Sequence, residues 1–570
     1  MPDLLVNGLI ATMDPKAPAP EALLTAGDRV AFVGRRADAQ SLAATLDDVQ
    51  VVDLQGACVI PGLIDMHAHL DREGLKRLHP AMTGLRTRHD VLARISDLSR
   101  AAAPGEWIVT SPLGEPPFYF FDDPETEADL YPTRWELDEA APDNPVYIKP
   151  ILGFWRWAPW PERLISVANS AAMLAADLHD GTPQPSPSVT LERDLKGRLS
   201  GRFFEATTAS ILELRHFAKA VRYAGVDRVG ALRVSQQVAL AAAVTTVFEG
   251  HGVEPAVLDA YRALHRERQL TVRAELAFSP DWLHATAQPD AVVDRDLAWL
   301  GGEGRGDDML CVRGLFVNPY ATLDDRVRGS CGYSGMAGYH YGSGLSPDDV
   351  LRVLKAAARN SIRAVGLTPA LFEHFDHVGR EQDIRSLHWL IQHCGHLPRG
   401  HADIAARHNL GLSFLPVEAS YKQAVKIRHD KERAADFMPL RRLLDSGQPI
   451  SIASDNIPPS LFFAIWCCLA RRDYRGQTLP DPDGQISREE ALLIATLGAA
   501  RCLGRQDTLG SLSPGKYADL AILDRDYFRC PLDEIPQIKA SATMVGGVWR
   551  HGNPMTLSSS RTDRIAAASC

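Results

Sequence analysis

Eight short apolar runs, spaced by helical patterns, constrain this chain more than any other feature. They fall at residues 59–66, 245–249, 271–278, 312–317, 370–373, 389–392, 410–415 and 449–453. Apolar β-type runs that alternate with amphipathic helices build a parallel sheet whose faces the helices cover. Eight such units predict a closed (β/α)8 barrel rather than an open sheet. The helices carry start signals, among them Ser346 ahead of Pro347, Asp348 and Asp349, and the capping box Ser487-Arg488-Glu489-Glu490.

Residues 1–58 and 506–556 have another character. Each reads as short strands punctuated by glycine, with Gly8, Gly56, Gly510 and Gly515 at turns. Two β segments flanking the long α/β stretch 59–505 predict one small β domain assembled from both ends of the chain. Residues 557–570 are expected to form a flexible tail. One helix suffices between two barrel strands, so residues from about 75 to 240 form a long insertion. It contains Pro116-Pro117-Phe118-Tyr119-Phe120-Phe121 and Phe154-Trp155-Arg156-Trp157. Most of these aromatics are expected in the insertion's own core, with a few facing a ligand.

The first apolar run ends in Asp65-Met66-His67-Ala68-His69. Side chains two apart on a strand point to the same side, so His67 and His69 can aim their imidazoles at one point. Barrels of this kind draw their catalytic groups from the C-terminal ends of the strands. Those ends carry Glu249 and His251 after the second run, and His374, Asp376 and His377 after the fifth. His393 and His396 follow the sixth, and Ser454-Asp455-Asn456 the eighth. Taken singly, His251, His396 and Asp376 read as loop or capping residues, and Glu249 as a partner for an arginine. Together, imidazoles and carboxylates at one mouth are expensive to bury unpaired. A divalent cation would pair them. It would also lower the pKa of a water from about 15.7 to about 7, worth about 12 kcal/mol of proton affinity. No side-chain base matches that, so a metal site explains the cluster better than an acid–base dyad.

A net charge of −10 and a pI near 6 argue against nucleic acid or an anionic membrane as partner, since both need concentrated positive charge. No run reaches the roughly 18 apolar residues that cross a bilayer. The opening Met1-Pro2-Asp3-Leu4-Leu5-Val6 lacks a signal-peptide pattern, and the nine cysteines show no framework spacing. Reduced thiols and a cytoplasmic location are therefore expected. The expected partner is a small-molecule substrate; the oligomeric state, a homo-oligomer included, stays open.

Several motifs now stand together. Val52-Asp53-Leu54-Gln55-Gly56 leads into Ile60-Pro61-Gly62-Leu63-Ile64-Asp65-Met66-His67-Ala68-His69-Leu70. Further on come Asn169-Ser170-Ala171-Ala172, then Arg193-Asp194-Leu195-Lys196-Gly197-Arg198-Leu199-Ser200-Gly201 with Glu205. Ala453-Ser454-Asp455, Gly510-Ser511-Leu512-Ser513-Pro514-Gly515-Lys516-Tyr517-Ala518-Asp519-Leu520 and Val545-Gly546-Gly547 complete the set. In these the chain resembles the amidohydrolase superfamily, and within it the YtcJ-like amidohydrolase 3 group. The resemblance implies a distorted (β/α)8 TIM barrel with a small β-sandwich, and hydrolysis of non-peptide C–N bonds with Zn²⁺ or another divalent metal. It implies His67 and His69 as first-strand ligands and His393 as the sixth-strand histidine. It also makes Asp455 the last-strand aspartate that holds the metal or its water and moves protons. The family's fifth-strand pattern resembles H-x-H-x-x-G-D, where this chain has His374-Phe375-Asp376-His377-Val378-Gly379-Arg380. His374 is the expected ligand there, with His377 close enough to substitute. Many relatives carry a carboxylated lysine between two metals on the fourth strand; Phe316 takes its place here. One metal per chain is then expected, unless Glu249 bridges two.

The expected reaction is attack of metal-activated water on an amide, carbamate or urea, an aryl-bearing one in view of the aromatic insertion. Asp455 carries the proton to the leaving nitrogen, and His393, where it is not a ligand, hydrogen-bonds the developing oxyanion. Two rivals stand beside this reading. A deaminase of an aminated heterocycle is favoured by His69-Leu70-Asp71 and the missing lysine, and ammonia release would identify it. A non-catalytic scaffold of the same fold is opposed by the intact His67, His69 and Asp455.

Overall fold

The computed structural model describes residues 1–17, 19–116, 118–119, 127–151, 163–207, 209–221, 227–282, 288–320, 322–329, 331, 345–367, 369–424, 434–479 and 484–556. Eight parallel strands run through its central sheet, with Arg305–Gly306 added antiparallel on the fourth: β1 (Leu63–Ala68), β2 (Val244–Val253), β3 (Arg273–Phe278), β4 (Leu310–Phe316), β5 (Ala364–Gly366), β6 (Leu390–Ile391), β7 (Gly411–Phe414) and β8 (Ile450–Ile452). They lie in chain order, and each neighbouring pair is parallel. The two ends of the sheet meet where the Asp455 N–H donates to the His67 carbonyl at 2.8 Å. The result is a distorted, nearly closed (β/α)8 barrel. Ile64, Met66, Phe248, Ala277, Val365, Leu390, Leu415 and Ala453 form one buried apolar cluster between its strands.

Two expectations about the strands need correction. The run 59–66 is two strands. Cys58–Pro61 pairs antiparallel with Leu520–Leu523 outside the barrel, and β1 starts only at Leu63. Gly62 is the joint, packed so closely that a Cβ there would meet Thr245 Oγ1 at 2.0 Å. The run 370–373 is not a strand at all. It opens helix α1 (Leu371–Glu381), whose buried Leu371, Phe372, Phe375 and Val378 follow helical rather than alternating spacing. The true β5 is the three-residue Ala364–Gly366, too short to advertise itself.

The terminal segments contribute two facing sheets. One holds Asp3–Val6, Ala22–Ala26, Arg29–Gly34 and Gln50–Asp53. The other joins Leu9–Ile10 and Cys58–Pro61 from one end of the chain to Leu520–Leu523, Ala540–Val545 and Val548–His551 from the other. Leu5, Leu23, Val52, Val59, Leu520, Ile522 and Met544 pack between them as a small β-sandwich core. Arg273 of β3 ties the barrel to the sandwich through Asp519, its Nε donating at 2.6 Å and its Nη2 at 3.0 Å.

The segment between β1 and β2 builds a five-stranded sheet of its own, ordered Val189–Arg193, Leu199–Glu205, Leu164–Ala168, Val146–Ile148, Ile108–Thr110. Of the aromatics singled out in the sequence, Phe118 stacks on Tyr421 with ring centroids 5.4 Å apart, and Tyr119 is buried. Residues 117, 120, 121 and 154–157 lie outside the described residues. Every described cysteine is a free thiol. Among the described residues no helix is long and apolar enough to cross a membrane.

Candidate active site

The C-terminal ends of β1, β2, β6 and β8 bring six polar side chains to one place: His67, His69, Glu249, His251, His393 and Asp455. His67 is at the centre and has no solvent exposure. Its Nε2 is 3.2 Å from His69 Nε2, 3.2 Å from His393 Nε2 and 3.9 Å from Asp455 Oδ1. His69 Nε2 is 3.5 Å from the same Asp455 oxygen. The His251 ring centroid is 4.6 Å from that of His67 and 4.8 Å from that of His69. Two donor sets, His67/His69/His251 and His67/His393/Asp455, each keep their ligand atoms within 4.8 Å of one another, and His67 belongs to both.

The other edge of each ring explains why the Nε2 atoms converge. Gln392 donates its amide to the Met66 carbonyl at 3.0 Å, so its Oε1 faces His67 Nδ1 at 2.5 Å and takes the proton there. His69 Nδ1 faces Glu249 Oε2 at 3.3 Å, and His393 Nδ1 faces Glu418 Oε2 at 3.2 Å. In these three rings Nδ1 has an oxygen within 3.3 Å to take its hydrogen bond, which leaves their Nε2 lone pairs for one common partner. Burial holds His67, His69 and His251 well below the usual imidazole value, with neighbouring positive charge adding to it. Neutral imidazole is the form that binds metal. Four-coordinate metal–nitrogen bonds of about 2.0–2.1 Å would set nitrogen ligands roughly 3.3 Å apart. The observed 3.2 Å spacings match that geometry. The donor set thus fits a divalent cation.

The turns that present these groups are strained, and they are braced. His393, Asp455 and Asn456 have φ of 60°, 50° and 56°, in the left-handed region that costs most L-residues energy and that His, Asp and Asn enter more readily than others. Asn456 Oδ1 accepts the His69 N–H at 2.6 Å, and Ser454 Oγ accepts the Asn456 N–H at 2.9 Å. Asp65 Oδ1 accepts the N–H groups of Ser454 at 3.0 Å and His67 at 3.2 Å. The β1 and β8 ends are therefore locked to each other. Burial raises the Asp455 pKa while Arg72 opposes the shift. Arg72, itself without exposure, donates to Asp455 Oδ1 at 2.7 Å.

Glu249 sits behind His69 rather than among the Nε2 atoms. Its Oε1 accepts the Tyr261 hydroxyl at 2.6 Å and the Leu70 N–H at 3.0 Å, and burial pushes its pKa up. The fifth-strand ligand is a correction. His374 is half-buried on α1, its ring nitrogens 2.9 and 3.1 Å from the carbonyl oxygens of Ala370 and Pro347. His377, on the same helix, pairs with Glu381 at 3.1 Å. Neither reaches the cluster, because the residues that carry them coil away from β5 as a helix. Reading the sequence alone noted His251 at a strand end but left it out of the ligand set as a loop or capping residue, and missed Arg72, Gln392 and Glu418 altogether.

Gly250 lies directly against the central ring: a Cβ there would sit 2.0 Å from His67 Nδ1. Gly250→Ala is expected to displace that imidazole, lower bound metal measured by mass spectrometry, and cost about 1–3 kcal/mol of stability. Full metal content with an unchanged melting temperature would show that this packing does not hold the ring.

The chain matches the family described as "Amidohydrolase family" (Amidohydro_3) over residues 50–325 and 357–551. It is 26% identical over 573 residues to an N-substituted formamide deformylase of Arthrobacter pascens, covering 96% of this chain and 98% of that one. A putative amidohydrolase YtcJ of Bacillus subtilis is 28% identical over 166 residues, which is 29% of this chain and 28% of that protein. Among solved structures, a metal-dependent hydrolase of Pyrococcus horikoshii superposes with a TM-score of 0.67 at 18% identity, covering 94% of this chain and 99% of that one. That likeness is one of fold.

Proposed function

This chain belongs to the amidohydrolase family, metal-dependent hydrolases of carbon–nitrogen bonds, and we propose that it hydrolyses an N-substituted formamide or a closely related small N-acyl amine with one divalent cation, Zn²⁺ or a similar ion, per chain. The observation that carries this reading is the convergence of Nε2 atoms 3.2 Å apart with a carboxylate oxygen at 3.5 Å. The substrate class is supported by the deformylase relative, which matches nearly end to end. A single ion agrees with Phe316, a buried aromatic that stands 5.7 Å from the His251 ring and offers no amine to carboxylate.

His67, His69 and His251, all buried, would hold the cation together with Asp455. His393 is the more exposed imidazole of the cluster, its side chain 21% accessible. It would therefore lie on the substrate side of the cation, its Nδ1–H turned to Glu418 and its Nε2 lone pair adding to the donor set. The cation supplies a water of lowered pKa and polarises the carbonyl. Asp455 accepts a proton from the attacking water as the new C–O bond forms, then delivers it to nitrogen as the C–N bond breaks. Formate and a free amine leave. The deaminase alternative relied on Asp71 as a ring-protonating acid. Here Asp71 is buried and paired with Arg228, which leaves it poorly placed for that task.

The test is product analysis on Zn²⁺-loaded protein with 4-nitroformanilide and with cytosine. Equimolar 4-nitroaniline and formate, suppressed by a chelator, is the expected result. Ammonia from cytosine with no formate from the anilide would overturn the proposal.

A further inference from the structure

Helix α2 (Leu70–Leu78) starts one residue after His69, and its first turn is buried, charged residues included. Two of those charges have partners away from the cluster: Asp71 pairs with Arg228, and Glu73 with Lys76 at 3.1 Å and Arg77 at 2.9 Å. Arg72 turns the other way. Its Nη2 donates to Asp455 Oδ1 at 2.7 Å and lies 3.3 Å from the main-chain carbonyl oxygen of the same residue. That carboxylate oxygen is the one that also faces His67 and His69. One guanidinium thus grips both the side chain and the backbone of an aspartate held in a left-handed conformation, at φ 50°. Both contacts come from the one nitrogen Nη2, which the planar guanidinium holds in a fixed direction.

A buried cation beside a metal site opposes metal binding by simple Coulomb repulsion. Its presence therefore calls for a use other than building the site. We propose that Arg72 is a positioning residue that fixes the Asp455 carboxylate for proton transfer, at the expense of tighter cation binding. This rests on the reading above that Asp455 moves the proton. The guanidinium leaves Oδ2 as the carboxylate oxygen outside its grip, and prevents Asp455 from rotating to clasp the ion with both oxygens.

The experiment compares wild type, Arg72→Ala and Arg72→Lys for 4-nitroformanilide turnover and for Zn²⁺ affinity by competition with a chromophoric chelator. In Arg72→Ala, kcat is expected to fall about a hundredfold with KM changed less than about threefold. Zn²⁺ is expected to bind about tenfold more tightly, because a fixed positive charge has gone. Lysine, or guanidinium ion added to the alanine variant, is expected to restore part of kcat. Unchanged kcat would overturn the proposal, and so would a loss of activity and Zn²⁺ affinity together, the mark of a merely structural prop. Should wild type leave 4-nitroformanilide intact, the proposed function fails instead. The direction of the Zn²⁺ affinity change then still separates a positioning arginine, with tighter binding, from a prop, with weaker binding.

Discussion

Asp455→Asn is expected to lower turnover by about three to four orders of magnitude while the protein keeps its fold and most of its metal. The substitution is nearly isosteric. An amide oxygen can still accept from Arg72 Nη2, now 2.7 Å away, and the main-chain bond from Asp455 N–H to the His67 carbonyl does not involve the side chain. What asparagine cannot do is take a proton from water and return it to nitrogen. Some stability is lost because a buried arginine exchanges a carboxylate for a neutral partner; breaking such a pair outright costs about 3–5 kcal/mol, so this milder change costs less. The measurement is kcat on 4-nitroformanilide beside metal content and melting temperature. Near-normal turnover would mean that another group carries the proton. Loss of metal in proportion to loss of activity would mean that Asp455 serves as a ligand only.

The barrel was legible in the sequence because most of its strands are buried on both faces and read as continuous apolar runs. β5 was not, since Ala364-Val365-Gly366 is three residues long while the apolar residues of α1 nearby are more conspicuous. That displacement carried His374 and His377 into the expected ligand set by mere proximity to a supposed strand end. His67, His69, His393 and Asp455 were visible because histidines and an aspartate at strand ends have few other uses. His251 was visible too, yet was set aside as a loop residue. β2 in fact runs on to Val253, with an irregular register against β3 between Glu249 and Val253. Both Glu249 and His251 therefore remain on the sheet, at its functional end. Arg72 carries no signal of its own in Leu70-Asp71-Arg72-Glu73. Helix α3 (Arg228–Ala241) packs against that turn so closely that a Cβ on Gly74 would sit 1.9 Å from the Ala231 carbonyl oxygen, and Arg72 is buried. Gln392 had no signal either, because an amide next to a histidine acquires meaning only when it is seen to set the tautomer of another ring.

That tautomer argument yields the other large expected effect. His67 belongs to both donor sets, and its Nε2 is within 3.2 Å of two other imidazole nitrogens. His67→Ala is therefore expected to lose the cation at micromolar free Zn²⁺ and to lose about four orders of magnitude or more in activity, the proton affinity of uncoordinated water being restored. The vacated imidazole leaves a buried cavity that costs about 2–3 kcal/mol, which this large core can absorb, so the variant should still fold. Ligand linkage gives a readout that does not depend on substrate. Zn²⁺ at about 1,000 times its dissociation constant stabilises a native site by about 4 kcal/mol, so added Zn²⁺ should raise the melting temperature of chelator-treated wild type and leave that of His67→Ala unmoved. His374→Ala and His377→Ala, on α1 and away from the cluster, should behave as wild type in both assays. Stoichiometric Zn²⁺ in His67→Ala, or its loss from His374→Ala, would place the metal somewhere other than at the mouth formed by β1, β2, β6 and β8.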